Sequence, residues 1–131
     1  MINIKAIVKG EPDTAPFTHT FFYPDESDEE LFYNSVNMIK EKLDKNLKIN
    51  INESLMIYCA YVIDKLRANE TISVIERNAQ KILHPDKVMI GVPESLRKIV
   101  FEAKIDKLPK RRVILKEPIT ISNYILAANN C

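Results

Sequence analysis

In the stretch KIVFEAKIDKLPKRRVILK, residues 98–116, one set of apolar side chains recurs at every second position. The polar segment DKLPKR interrupts this alternation, which continues after it. Alternation with a period of two places one set of side chains on a single face of a β-strand. The segment therefore predicts an antiparallel β-hairpin with one side packed on other elements. The side chains predicted to face the core are Ile99, Phe101, Ala103, Ile105, Val113 and Leu115.

Ahead of this hairpin, apolar residues spaced three and four apart predict three helices. The first follows the acidic run PDESDEE, where Ser27 or Asp25 would be the N-cap, because carboxylates are favoured at a helix N-terminus. The second would be capped by Asn52 and is apolar over a wide arc, which indicates a central position; Thr71 would cap the third. The predicted core residues are Phe32, Val36, Ile39 and Leu43, then Leu55, Cys59, Val62 and Leu66, then Ile72, Ile75, Ala79, Ile82 and Leu83.

Strand-like composition also occurs at both ends of the chain. Residues 2–9 and 17–23 predict two strands, with Phe17, His19, Phe21 and Tyr23 on one face of the second, and residues 119–127 predict a further strand. Since an unpaired apolar strand is a liability in water, at least one N-terminal strand is expected to pair with the 98–116 hairpin or the 119–127 segment. The predicted fold class is α+β: a bundle of three to four helices with an antiparallel hairpin, which N- and C-terminal strands can enlarge.

Length and composition limit the classes of function. A chain of 131 residues that is 46% apolar can fold as one domain with a substantial core. Its formal net charge of +1 favours neither a nucleic-acid binder nor a membrane-surface protein. The longest apolar run, LMIYCAYVI, is too short to span a bilayer. Cys59 and Cys131 do not make a disulfide framework, so a reduced, cytoplasmic location is expected.

Candidate catalytic and metal-binding side chains are few. His19 and His84 have no metal-ligand neighbour at a spacing of three or four, so each is more readily interpreted as a structural residue than as a metal ligand. Cys59 lies in the most apolar helix, where a core role is favoured over a nucleophile. Two glycines cannot form a phosphate-binding loop. The sequence therefore predicts no catalytic, cofactor-binding or metal-binding residue in this chain.

A basic cluster on the predicted hairpin turn is the one candidate for contact with phosphate. It consists of Lys107, Lys110, Arg111 and Arg112. Without interleaved aromatic residues, a solvated turn is favoured over a nucleic-acid site.

The segment VMIGVPE, residues 88–94, holds one of the two glycines of the chain. It follows HPDK, and together they predict a short helical turn that Gly91 closes with a left-handed, positive-φ conformation. Val92 precedes Pro93 and is expected to be extended.

From residue 47 onward the sequence resembles the gamma subunit of nickel-dependent urease. The similarity runs without gaps over residues 47–105 and, with one small change in the hairpin turn, to residue 119. The residues that carry it are the link Leu47, Lys48, Ile49 and Asn50; the helix Ala60 to Asp64 with Arg67 and Thr71; the signature Val88, Met89, Gly91, Val92, Pro93 and Glu94; the pair Glu102 and Ala103; and the final Pro118 and Ile119.

The chain also departs from that family's pattern. About 24 additional residues precede the first helix, a position usually acidic is Ile90, and the small pair before Arg67 is the bulkier Lys65–Leu66. Bulkier side chains on a packed face alter how closely a neighbour can approach. We therefore predict an N-terminal extension with strands at residues 1–24, a urease gamma-like domain at 25–119 and a C-terminal tail at 120–131.

The resemblance implies a non-catalytic structural subunit that supports a urease assembly. In that family the nickel and all catalytic residues lie in a separate alpha subunit, so the chain would be part of a hydrolase only within a complex with alpha and beta subunits. The alternative is a gamma-like paralogue that acts as a self-assembling or binding module without urease activity, which the extension and the tail favour. A third alternative is phosphate or nucleic-acid contact through residues 107–112.

Overall fold

A computed structural model describes residues 1–12 and 14–120, and it combines an antiparallel sheet with helices on one face. The strands are β1 (Ile2–Lys9), β2 (Phe17–Tyr23), β3 (Lys98–Ile105) and β4 (Arg111–Lys116). The α-helices in this part of the chain are α1 (Glu26–Asp44), α2 (Ile51–Arg67), α3 (Ile72–Asn78) and α4 (Val92–Ser95). Two short 3-10 helices, Ala79–Lys81 and Pro85–Lys87, lie between α3 and α4. The predicted α+β class is confirmed.

The four strands are ordered β2-β1-β3-β4, and each neighbouring pair is antiparallel. β1 therefore lies inside the sheet, where Ile4 is opposite Phe21 of β2 on one side and Ala103 of β3 on the other. The prediction that an N-terminal strand pairs with the hairpin is confirmed, and the pairing lies within one chain. β2 and β4 form the two edges.

Alternation along each strand decides which face meets the helices. In β1 the residues Ile2, Ile4, Ala6 and Val8 are at most 1% exposed, whereas Lys5 between them is exposed. The core side of β3 and β4 is formed by the six side chains predicted from the hairpin pattern, and all six are buried. Helix α2 supplies most of the covering layer, since ten of its side chains are buried. The wide apolar arc of the second predicted helix is thus confirmed as central.

An aromatic cluster joins β2 to α1. The rings of Tyr23 and Phe32 stack with centroids 4.8 Å apart, and Phe21 approaches Phe32 edge-on at 6.0 Å. Phe17 and His19, predicted on the same face as Phe21, are exposed because α1 covers only the end of β2 that leads into it. Ile82, predicted in the core, is also 37% exposed, since α3 ends at Asn78 and the helical face does not continue.

The predicted caps have three different outcomes: Asp25 caps α1, the cap of α2 needs correction, and Thr71 precedes α3 without a side-chain capping hydrogen bond. Asp25 caps α1 by accepting a hydrogen bond from the Asp28 backbone at 3.0 Å. The cap of α2 is Asn50 rather than the predicted Asn52. Asn50 accepts a hydrogen bond from the Glu53 N–H, and the Glu53 carboxylate accepts one from the Asn50 N–H, which is a reciprocal capping box. Asn52 could not form such a box, because the residue three positions after it is Leu55.

The predicted strand at 119–127 falls largely outside the described residues. Ile119 is buried and Thr120 is partly buried, and neither belongs to a strand. Residues 121–131, including Cys131, lie beyond the described part.

Candidate interaction site

The side chains with catalytic potential lie in separate places. His19 is exposed on the edge strand β2 beside the ring of Phe21. His84 caps the 3-10 helix Pro85–Lys87, and its Nδ1 lies 2.7 Å from a carboxylate oxygen of Asp86. Cys59 is fully buried, and burial raises the pKa of its thiol well above the ordinary value, which disfavours the nucleophilic thiolate.

Within the described part of the chain, no three His, Cys, Asp or Glu side chains come together in a group that could hold a metal ion. No helix in residues 1–12 and 14–120 has both the length and the apolar character needed to cross a membrane.

The segment that carries the Gly-Val-Pro sequence forms a tight turn at the surface. The N–H of Val92 donates to the carbonyl of Met89 at 3.1 Å. Gly91 has φ 93° and ψ −14°, the angles of the third residue of a type II turn, which non-glycine residues rarely adopt. The predicted positive φ of Gly91 is confirmed.

The position of this glycine differs from the prediction. Gly91 precedes α4 rather than closing a helical turn, because the 3-10 helix already ends at Lys87 and Val88 is extended. Val92 is the first residue of α4, so its predicted extended conformation is wrong. The hydroxyl of Ser95 donates to the Gly91 carbonyl at 2.8 Å and holds the turn against α4.

The turn is anchored to the link between α1 and α2. The N–H of Ile49 donates to the Lys87 carbonyl at 3.1 Å, and the N–H of Met89 donates to the Ile49 carbonyl at 2.9 Å. These bonds form a parallel bridge between Ile49 and Val88, both of which are buried. A rigid backbone therefore supports the surface side chains of both segments.

Three large apolar side chains on these two segments point to solvent. Leu47 is 53% exposed, Met89 is 46% exposed and Ile90, the residue before Gly91 in the turn, is fully exposed. Exposed apolar side chains that cluster on one surface mark a candidate interaction site, whereas isolated ones are common. We call Leu47, Met89 and Ile90 the turn patch.

Sequence reasoning missed the turn patch, although a signal was available. A glycine at the third position of a type II turn places the preceding residue at the outer corner, so Gly91 itself indicates that Ile90 is exposed.

A second feature ties the N-terminal strand to the rest of the fold. The Arg67 guanidinium at the end of α2 bonds to Glu29 of α1 at 3.0 Å and to Asp106 of the hairpin turn at 3.1 Å. The amino group of Met1 lies 3.0 Å from Asp106 and 3.1 Å from Glu29. Partial burial lowers the pKa of Arg67, but its bonds to Asp106 and Glu29 outweigh burial and the pKa is raised overall.

Three of the four cations of the predicted basic cluster line one surface depression. These are Lys110, Arg111 and Arg112, and the structure adds Lys5 from β1 and Lys104 from β3. Lys107 does not line it.

Comparison with known proteins identifies a family. The family described as "Urease, gamma subunit" matches residues 21–119. A protein named "Urease subunit gamma" from Halalkalibacterium halodurans is 30% identical over 96 residues, which cover 73% of this chain and 95% of that protein. Another protein of the same name, from Saccharopolyspora erythraea, is 25% identical over 80 residues, which cover 61% of this chain and 80% of that protein.

Proposed function

The chain belongs to the urease gamma-subunit family, and on that basis we propose that it is a non-catalytic structural subunit of a urease assembly. In this proposal a separate, nickel-containing alpha subunit hydrolyses urea to ammonia and carbon dioxide, and a beta subunit completes the complex. The observation that carries the proposal is the family match over residues 21–119, which includes α1 to α4 and both strands of the hairpin.

We assign no catalytic, cofactor-binding or metal-binding residue to this chain. The separation of His19, His84 and Cys59 on different elements supports this assignment, because a metal or catalytic centre needs convergent side chains. The cytoplasm is the proposed location of the assembly. The division of the chain into an extension, a gamma-like domain and a tail stays a prediction.

The turn patch is the surface that we assign to contact with another urease subunit. Its backbone is fixed by the Ile49–Val88 bridge, so burial of its side chains would cost little ordering entropy. Ile90 is the best single anchor, because it is fully exposed and sits at the corner of a turn whose geometry Gly91 determines.

One observation favours the alternative of a self-assembling or binding module without urease activity. β1 pairs with β3 along its whole length, yet residues 1–20 lie outside the family match. The matched 96 residues make up 95% of the Halalkalibacterium halodurans protein, so that protein is too short to contain a comparable extension. In this chain β1 pairs with the edge of β3. In a relative without the extension that edge is open to a strand from a partner protein, and in this chain it is not.

The test is co-expression of this chain with the alpha and beta urease subunits of the same organism. We expect a tagged chain to co-purify with both subunits, urea hydrolysis to require the chain, and the chain alone to hydrolyse no urea. If the other two subunits assemble and hydrolyse urea equally well without this chain, and do not bind it, the proposal is wrong and the alternative is favoured.

Substitution within the turn patch tests the assigned surface separately. Ile90→Asp should reduce recovery of the complex without affecting folding, since the side chain makes no core contact. Met38→Asp on α1, where the methionine is 66% exposed, is the matched control. If Ile90→Asp leaves recovery unchanged while the native chain co-purifies, the surface assignment fails and the subunit role stands.

A further inference from the structure

The face of the sheet opposite the helices is strongly basic. Its charged side chains, given by the alternation in β1, β3 and β4, are Lys5, Lys9, Lys98, Lys104, Arg112 and Lys116, with Glu102 as the acid. The whole chain has a net charge of only +1, so positive charge is concentrated on this face. Concentration of one sign of charge attracts and retains oppositely charged ligands.

At one end of this face the cations surround a depression of about 480 Å³. The cations that line it from this face are Lys5, Lys104, Lys110 and Arg112, together with Glu102 and Asn3. Ala103 and Arg111 also border it, but they are opposite each other in the register and their side chains belong to the helix-covered face. Lys104, Lys110 and Arg112 belong to the β3–β4 hairpin, and the pairing of β1 with β3 brings Lys5 to the same site. The volume lies in the range of small-molecule sites.

Most of this positive charge is not neutralised. Among the described residues, no carboxylate lies within 4.0 Å of the charged groups of Lys5, Lys110, Arg111 or Arg112, whereas Arg67 and Arg97 both form ion pairs. Lys104 donates to the backbone carbonyls of Asp106 and Leu108. Glu102 is opposite both Lys5 and Arg112 in the strand register and can balance only one positive charge. The depression therefore retains a surplus of cations at close range.

We propose that this depression binds a compact anion bearing two or more phosphate groups. Several positive charges in one concave site match a multiply charged ligand, and the Arg112 guanidinium can bind phosphate oxygens in pairs. No aromatic side chain lines the depression, so no base-stacking platform is present there. This inference goes beyond the proposed subunit function and does not depend on it.

The test is isothermal titration calorimetry of the full chain with inorganic tripolyphosphate. We expect saturable binding at one site per chain, with orthophosphate much weaker. The double substitution Lys5→Gln with Arg112→Gln should weaken binding by roughly tenfold or more, since each removes a charged contact. The matched control is Lys9→Gln with Lys116→Gln, which removes the same charge from the same two strands. These two lysines are separated from the depression by the apolar row Ile7, Val100 and Ile114. The control should change affinity less than about twofold.

Three results would overturn the proposal. One is the absence of saturable tripolyphosphate binding by the native chain. Another is equal weakening by both double substitutions, which indicates diffuse attraction rather than a site. The last is tighter binding of a random 20-base-pair DNA duplex than of tripolyphosphate at the same salt concentration, which indicates a nucleic-acid surface. Circular dichroism confirms that all variants remain folded.

Discussion

At the scale of single residues, positive φ angles determine where this glycine-poor chain turns. An asparagine follows each of α1 and α2, two residues after the last helical residue: Asn46 and Asn69, each with φ 60°. After both helices the two N–H groups at the end of the turn bond back to carbonyls of the last turn, the pattern of a Schellman motif. Asparagine tolerates this conformation better than other non-glycine residues, whereas the φ of 93° at Gly91 is an angle that glycine adopts far more readily.

Substitution of Gly91 tests this explanation directly. A Cβ atom added to Gly91 meets no atom within 4 Å, so the cost of Gly91→Ala is backbone strain alone. We expect a loss of about 1–2 kcal/mol in unfolding free energy, and a smaller loss for Gly91→Asn. Guanidinium denaturation of the three proteins measures both. Equal stability of the alanine variant and the native chain would contradict the explanation.

At the scale of elements, helix α3 protects one edge of the sheet. β4 is an edge strand, and its Ile114 N–H donates to the Glu76 carboxylate of α3 at 2.7 Å. Because this carboxylate is partly buried against the strand, it both satisfies the amide and blocks addition of another strand at that point.

Glu76→Ala should therefore destabilise the fold by about 1–3 kcal/mol, because the Ile114 amide loses a charged acceptor. Glu76→Gln keeps a neutral acceptor of the same shape and should cost less. Thermal unfolding with circular dichroism gives the order native, glutamine, alanine. Identical melting of the alanine and glutamine variants would mean that the hydrogen bond contributes nothing.

Local patterns predicted the elements and the pairing of an N-terminal strand with the hairpin, but they did not predict the order of the strands in the sheet. Alternation in β3 and helical spacing in α2 predict most of the buried side chains, because burial follows the period of the element. Val100 is an exception, since it lies on the open face of β3 and is nevertheless buried. The position of β1 between β2 and β3 depends on pairing between residues that are far apart in the sequence, such as Ile2 and Ile105. No local pattern encodes this strand order. The sequence identified Lys110 and Arg112 as candidate phosphate contacts but not Lys5, which lies beside them only because β1 pairs with β3.

At the scale of the whole molecule, the ion-pair network of Arg67 joins four separate parts of the chain. Arg67 contacts Glu29 and Asp106, and the Met1 amino group contacts the same two carboxylates. The bond from Arg67, and then that from the Met1 amino group, lowers the pKa of Asp106 below its ordinary value of 3.8. The network therefore stabilises the folded chain above that pH and loses this contribution as pH falls through the lowered pKa.

Asp106→Asn tests this pH dependence, and asparagine suits the positive φ of 51° at this position. Near pH 7 we expect the variant to be less stable by about 1 kcal/mol, a small value because the carboxylate is largely exposed. The difference should shrink as pH falls below 3.8. Glu30→Gln, at an exposed position of α1, controls for general charge effects. A stability difference that is constant with pH would rule out the network as its source.

The central claim is that the chain is a subunit of a urease assembly. Its most direct test is affinity purification of the tagged full chain from its own source cells, followed by native mass spectrometry and measurement of urea hydrolysis. We predict recovery of urease alpha and beta subunits in fixed proportion to the chain, with urea-hydrolysing activity in the same fraction. Recovery of the chain alone or only as copies of itself, from cells that make urease, would contradict the claim.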